Sequence, residues 1–250
     1  MLIKPYKRII RPFPGSGGAH FDSSIAKSHL VDENYASDRV NLIRAFKLLE
    51  KDLVKLFDYV EPDDCNSEVF SHRIYELFLR SCTEFELNCK NILLANNYSF
   101  IKPPNIEEYH KINKANHLSD YEVSLLIWRN PSKIFQPFKL WSTTHTLNWY
   151  KKYNNVKHNR DIYFKDANLG NLINAISGVF CILFSQFSVL SFQSEYLVDS
   201  FNEEMGWYSH PNSIFRIKPF DSWKNTDKYS FTWSTLKHDP RPFDIFPFEK

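Results

Sequence analysis

A chain of 250 residues with 43% hydrophobic and 24% charged residues can bury a substantial core and lacks the composition of an extensively disordered protein. Its net charge of only +2 excludes attraction to phosphates by overall field, so any contact with nucleic acid has to come from local clusters of cations. Aromatic residues stand out at 16%, a content suited to packing and to stacking alike.

Residues 1–31 carry Pro5, Pro12, Pro14 and the turn-forming PGSGG, which predict an extended arm. Its Lys4, Lys7, Arg8 and Arg11 either meet an acidic partner or drape over the fold. The arm has no apolar run long enough for a signal peptide, so a cytoplasmic location is expected. Cys65, Cys82, Cys89 and Cys181 include no CxxC pair and agree with a reducing compartment. From about 34 to 59 the chain reads as a helix, with Val40, Ile43, Phe46, Leu49, Leu53 and Leu56 in one stripe. A second helix is expected from about 67 to 95, with Ile74, Phe78, Cys82, Phe85, Cys89, Ile92 and Leu93 facing a core. On its other side Glu76, Arg80 and Glu84 alternate in sign at four-residue spacing; they form either a salt ladder or the lining of a polar cleft.

Residues 99–145 are less regular and predict an insertion or small hairpin, with YEVSLLIW and SKIFQPFKLW extended. Helical spacing returns over 144–161. Residues 168–194 then contain no charge, which suits a buried central helix, an embedded dimer interface or a membrane span; small and polar residues recurring along it favour the buried helix. Residues 200–250 are aromatic and rich in proline, and SIFRIKPF and YSFTWSTL are candidates to pair as strands.

Common catalytic signatures are missing. PGSGG lacks the GK[ST] of a phosphate loop, there is no HExxH or GxSxG, and His110 and His117 give only a weak metal hint. No metal or cofactor is therefore expected. The stretch WYKKYNNVKHNRDIYF (149–164) is different, because four cations, several rings and one histidine crowd into it. On a helix, Asn154, His158 and Asp161 share one face beside Lys157 and near Lys151, while Trp149, Tyr153 and Val156 form an anchoring face. An imidazole with an amide and cations nearby suits RNA cleavage, since histidine moves protons near neutral pH and Lys or Arg balances phosphate charge.

YELFLRSCTEFELNCK on one long helix, followed by WYKKYNNVKHNR and the ANLGNLINAISGVF helix, resembles bacterial proteins of the HEPN type (higher eukaryotes and prokaryotes nucleotide-binding) over about residues 35–195. The YNNVKHNR stretch is the specific part. The resemblance implies a mainly α fold: a HEPN-like bundle over 32–199 with an insertion at about 99–145, a basic arm before it, and a short-strand, aromatic extension over 200–250 packed on it. It also implies a homodimer and a role in a bacterial antiphage defence or toxin-antitoxin system, as an RNA-binding protein or a metal-independent ribonuclease, with a partner protein of that system. His158, Asn154 and Lys152 would then form the catalytic group, Lys151, Lys157 and Arg160 the phosphate contacts, and Arg80 and Glu84 a supporting polar cleft. Lys152 stands six positions before His158 where the family signature has arginine, and Tyr153 follows it in place of a polar residue. The rival expectation is a helical scaffold in which the same residues only brace the bundle.

Overall fold

One helix expected over 34–59 is two. In the computed structural model, which describes residues 1–15, 28–193 and 201–249, α1 (Glu33–Ala36) is capped by the Asp32 side chain and the chain breaks at Asp38 before α2 (Arg39–Leu56). Ser16–Gly18 of the glycine-rich turn and the expected boundary at 199–200 lie outside the described residues. Leu42, Ile43, Phe46, Leu49 and Leu53 are buried along α2, whereas Val40 is half-buried. Next comes α3 (His72–Ala95), whose start is set by Ser71: its hydroxyl accepts the Ile74 N–H at 3.2 Å, satisfying one of the unpaired donors of a helix N-terminus. All seven residues of its expected core stripe are buried.

The middle region contributes α4 (Ile106–His110), α5 (Asn113–Asn116) and β1 (Glu122–Leu125). Phe135 returns to Val123 through a reciprocal pair of backbone hydrogen bonds at 2.8 and 2.9 Å, a remnant of the expected hairpin. Tyr109, Ile112, Phe138 and Trp141 from this region are buried in the main core. The helix expected over 144–161 is α6 (Asn148–His158) and the single turn α7 (Arg160–Tyr163), separated at Asn159 with φ −140° and ψ 60°. After it, α8 (Leu169–Phe187) and a 3-10 extension over Ser188–Phe192 make the most apolar stretch.

The stretch Leu169–Phe192 is long and apolar enough to cross a membrane, yet all of it except the half-buried Gly170, Asn171 and Asn174 is buried inside the protein. Three helices, α2, α3 and α6, pack around α8. Phe46 of α2 stacks flat on Phe180 of α8, with ring centroids 5.1 Å apart. Gly178 lets α6 approach: a Cβ there would meet Phe138 and Trp149 atoms at 3.4 Å, ordinary contact distance with no room for more. The charge-free sequence is thus explained by contact on all sides.

Behind the helices lies a small antiparallel sheet of β1, β2 (Asn202–Glu204), β3 (Trp207–Ser209) and β4 (Phe215–Lys218), ordered β1-β4-β3-β2. Val123 and Tyr208 both flank Ile217, and the buried Phe215 and Ile217 alternate with half-exposed Arg216 and Lys218, the period of a strand with one face on a core. SIFRIKPF therefore supplies β4, but its partners are β1 and β3. The other candidate strand, YSFTWSTL, instead contains the turn of helix α9 (Trp233–Leu236). Its rings turn toward His29, and that packing overrides the alternation of the sequence. The protein is mainly α-helical.

A buried carboxylate joins sheet to bundle. Glu50 on α2 accepts hydrogen bonds from Ser213 Oγ at 2.6 Å and from the Ile214 N–H at 2.9 Å, and pairs with Lys47 Nζ at 2.6 Å. Glu50→Gln keeps the shape but loses the charge assistance, and should lower stability by about 1–2 kcal/mol. Urea denaturation checks this; an unchanged midpoint would mean that Glu50 contributes only packing.

Candidate nucleic-acid interface

The helical period divides α6 in two. Trp149, Tyr150, Tyr153 and Val156 are buried, and each ring is tied down. Trp149 Nε1 donates to the Pro137 carbonyl at 2.9 Å, Tyr150 OH donates to Glu86 at 2.7 Å, and Tyr153 packs edge-on against Phe78. Lys151, Lys157 and His158 are exposed on the outer side. The expected division into an anchoring and a polar face is therefore present. Its extent differs, because the break at Asn159 turns α7 away and takes Asp161 off the face that Asn154 and His158 share.

The cations differ in what they touch. Lys152 Nζ pairs with Asp166 at 3.1 Å, and the Asp166 carbonyl in turn accepts from Asn171 at 2.9 Å, so Lys152 links α6 to the start of α8. Lys157 Nζ lies 5.1 Å from the centre of the Tyr153 ring. A hydrogen bond that it donates to the Tyr153 hydroxyl, against some desolvation, holds the Lys157 ammonium above its ordinary range, so it is charged at neutral pH. The Arg160 guanidinium sits 5.7 Å from the centre of the Tyr75 ring on α3, a cation–π contact. Lys151 projects from the outer face. The His158 imidazole is exposed and makes no hydrogen bond among the described residues, and the half-buried Asn154 side chain makes none either.

Arg80 and Glu84 do not join this group. α3 meets α6 through Phe78 and Glu86, and residues two positions away from that row are rotated by about 200°. Arg80 instead pairs with Asp52 of α2 at 2.6 Å, and its hydrogen bond holds the Asp52 carboxyl below the usual range. Glu84 lines a groove of about 330 Å³ with Ala45, Leu48, Leu49, Leu79, Arg80 and Thr83, where partial burial raises its pKa. The polar cleft expected beside His158 is thus a groove between α2 and α3, on another side of the bundle. Glu76 pairs with Arg73 at 2.9 Å, so the expected ladder through Glu76, Arg80 and Glu84 is replaced by separate pairs.

No family model, curated protein or solved structure matches this chain. What the site can do therefore follows from its own groups. His110 and His117 go to different neighbours: His110 stacks on His145 and bonds the Trp141 carbonyl, whereas His117 lies flat on Phe220. Among the described residues no group of three His, Cys, Asp or Glu could hold a metal ion. Cys82, Cys89 and Cys181 are buried, and burial pushes their thiols well up, which suits packing more than nucleophilic chemistry.

Several residues at this corner carry no signal in the local pattern. Asp166, Tyr75, Phe70, His72 and Phe164 come together only because the chain turns at Asn159 and returns to the start of α3. Phe164 contacts Phe70, His72 and Tyr75, with centroids 5.6, 4.8 and 5.9 Å away.

Proposed function

We propose that the chain binds RNA through the exposed end of α6 and the α7 turn, with His158 as the proton-transferring group. The observation that carries this is the exposed imidazole of His158, without a hydrogen-bond partner among the described residues, with Lys157 two turns from the anchoring Tyr150 and Arg160 just beyond the break. A rigid, ring-anchored helix carrying one free histidine and flanking cations meets the needs of phosphodiester chemistry. The imidazole takes the proton of the 2'-hydroxyl, the 2'-oxygen attacks phosphorus, and the 5'-oxygen leaves with a proton from an acid, leaving a cyclic phosphate. Lys157 and Arg160 offset the charge that develops on the phosphoryl oxygens. In a homodimer, His158 of the second copy would supply the acid. The resemblance of YNNVKHNR to HEPN-type proteins supports the same reading and extends it to a role in a bacterial antiphage or toxin-type system with a partner protein. Lys152 serves this reading less directly, because it already neutralises Asp166.

A second reading has its own support. Lys152, Lys157 and Arg160 each make an intramolecular contact, as expected of a scaffold whose cations brace a corner. Two variants separate the readings. His158→Ala should lower RNA cleavage by at least about 10²-fold while leaving RNA affinity within a few-fold. Lys157→Ala with Arg160→Ala should weaken binding and flatten its salt dependence, by about 0.7 in the log–log slope for each lost contact with single-stranded phosphate. Cleavage unchanged in His158→Ala removes the catalytic part; RNA retention independent of salt removes the phosphate contacts and leaves the scaffold.

A further inference from the structure

Resting on the RNA reading above, we infer that the RNA is single-stranded at this face, with a base stacked on the exposed edge of the Phe70, His72 and Phe164 ring cluster. A phenylalanine 48% exposed forgoes much of the benefit of burial, and Phe70 is not on a loose end. Its segment is bonded to the start of α8: the Leu169 N–H donates to the Val69 carbonyl at 2.9 Å and the Gly170 N–H to the Ser67 carbonyl at 2.8 Å. Immediately afterwards, Ser71 caps α3. Phe164 is half-buried and has a clear structural task, because its contacts with Phe70, His72 and Tyr75 dock the α7 turn on α3. That task leaves the outer faces of Phe70 and His72 unused, and both residues are exposed.

The charges around the rings fit a phosphate chain. Arg160 lies over the Tyr75 ring. Arg73 follows His72 on the first turn of α3, and its ion pair with Glu76 is highly exposed, at 84% and 56% of the two side chains, so a phosphate can displace it at little cost. Lys165, next to Phe164, is exposed. Cations thus neighbour a stacking surface, the combination that holds unpaired nucleotides. A duplex gains nothing from it. In A-form RNA the bases are already stacked, and a protein meets only backbone and the shallow groove. The same corner carries His158 on the α6 side of the Asn159 break, so a strand stacked on Phe70 would run toward the imidazole.

The test uses the full chain and two labelled probes of equal length and sequence: a single-stranded RNA of mixed sequence, and the same strand annealed to its complement. Single-stranded RNA should bind at least about tenfold more tightly. Phe70→Ala should weaken that binding about tenfold, the usual loss of one stacked base, and leave duplex binding unchanged, while Phe70→Trp should restore it. His72→Ala, at an exposed position, is the second variant and should act in the same direction. Equal affinity for both probes overturns the inference, as does single-strand affinity unmoved by Phe70→Ala and His72→Ala while Lys157→Ala weakens it; in either case the RNA reading survives. Binding of neither probe overturns both.

Discussion

Replacing Arg8 by alanine is expected to destabilise the protein by about 3 kcal/mol, lowering its melting temperature by about 10 °C for a chain of this size. Arg8 belongs to the basic arm, where the sequence allowed either an acidic partner or contact with the fold. The fold takes it. The residue is only 7% exposed, and its guanidinium bonds Asp38 at the break between α1 and α2 and the Gln186 side chain of α8 at 3.1 Å. Both acceptors are committed elsewhere as well: Asp38 also accepts from Asn91 at 2.8 Å, and Gln186 donates to Asn88 at 2.9 Å. Removing the guanidinium leaves a carboxylate and an amide oxygen short of a donor in a desolvated place, which costs more than the pair itself is worth. Asp38 retains about a third of its side-chain exposure, so water relieves part of the loss and the estimate stays at the lower end for buried pairs. The backbone offers an internal control. Arg8 has φ 59°, a conformation that costs any L side chain about 1 kcal/mol or more relative to glycine, so Arg8→Gly should be milder than Arg8→Ala by about that much. Arg8→Lys should fall between wild type and alanine, because an ammonium reaches Asp38 without forking to Gln186. Urea denaturation of the three variants measures this; a midpoint for Arg8→Ala equal to wild type would show that the arm is not a structural element.

The same residues show which features a local pattern can reveal. The stripes of α2 and α3 and the uncharged run of α8 stand out because each buries one face, or all faces, over several turns, and burial writes a period into the sequence. The breaks at Asp38 and Asn159 are invisible by comparison. Asp and Asn are tolerated within helices and at their ends, and Asp38, the residue before α2, makes no side-chain cap bond while its carboxylate accepts from Arg8, thirty residues earlier. The pairing of β1 with β4 joins segments about ninety residues apart, which no local pattern encodes. At the candidate site, the anchoring face of α6 was legible from the spacing of Trp149, Tyr153 and Val156. The company kept by its cations was not, because Asp166 and Tyr75 reach Lys152 and Arg160 only after the chain turns at Asn159. The resemblance assigns Arg80 and Glu84 to a polar cleft that supports His158, but the side of α3 on which they lie is set by where α2 packs.

Acid should weaken the protein before its carboxylates protonate, and His29 is the reason. The imidazole is 3% exposed and boxed by the rings of Tyr35, Tyr229, Phe231 and Trp233, with centroids 5.3 to 6.1 Å away, and its Nε2 has no hydrogen-bond partner among the described residues. Burial pushes its pKa from 6.5 down to about 3, since the charged form loses its hydration. Attraction between an imidazolium and the surrounding ring faces returns only about 1–2 kcal/mol, less than desolvation removes. With the folded pKa depressed below the unfolded one, the unfolded chain binds the proton first as pH falls. Stability is therefore full above about pH 6.5 and declines steadily toward about pH 3, where the folded form begins to protonate. At about 1.4 kcal/mol per pH unit, the loss between pH 6.5 and pH 4.5 is about 2–3 kcal/mol, and by pH 3 it exceeds that expected from Arg8→Ala. His29→Phe fits a box of rings, removes the unpartnered nitrogen and cannot titrate. It should match or exceed wild type at pH 7 and lose little stability between pH 6.5 and 4.5. Denaturation midpoints for both proteins across that range decide the matter: parallel decline would assign the acid sensitivity to other groups, whereas a decline confined to wild type places it on one buried imidazole held neutral by its aromatic surroundings.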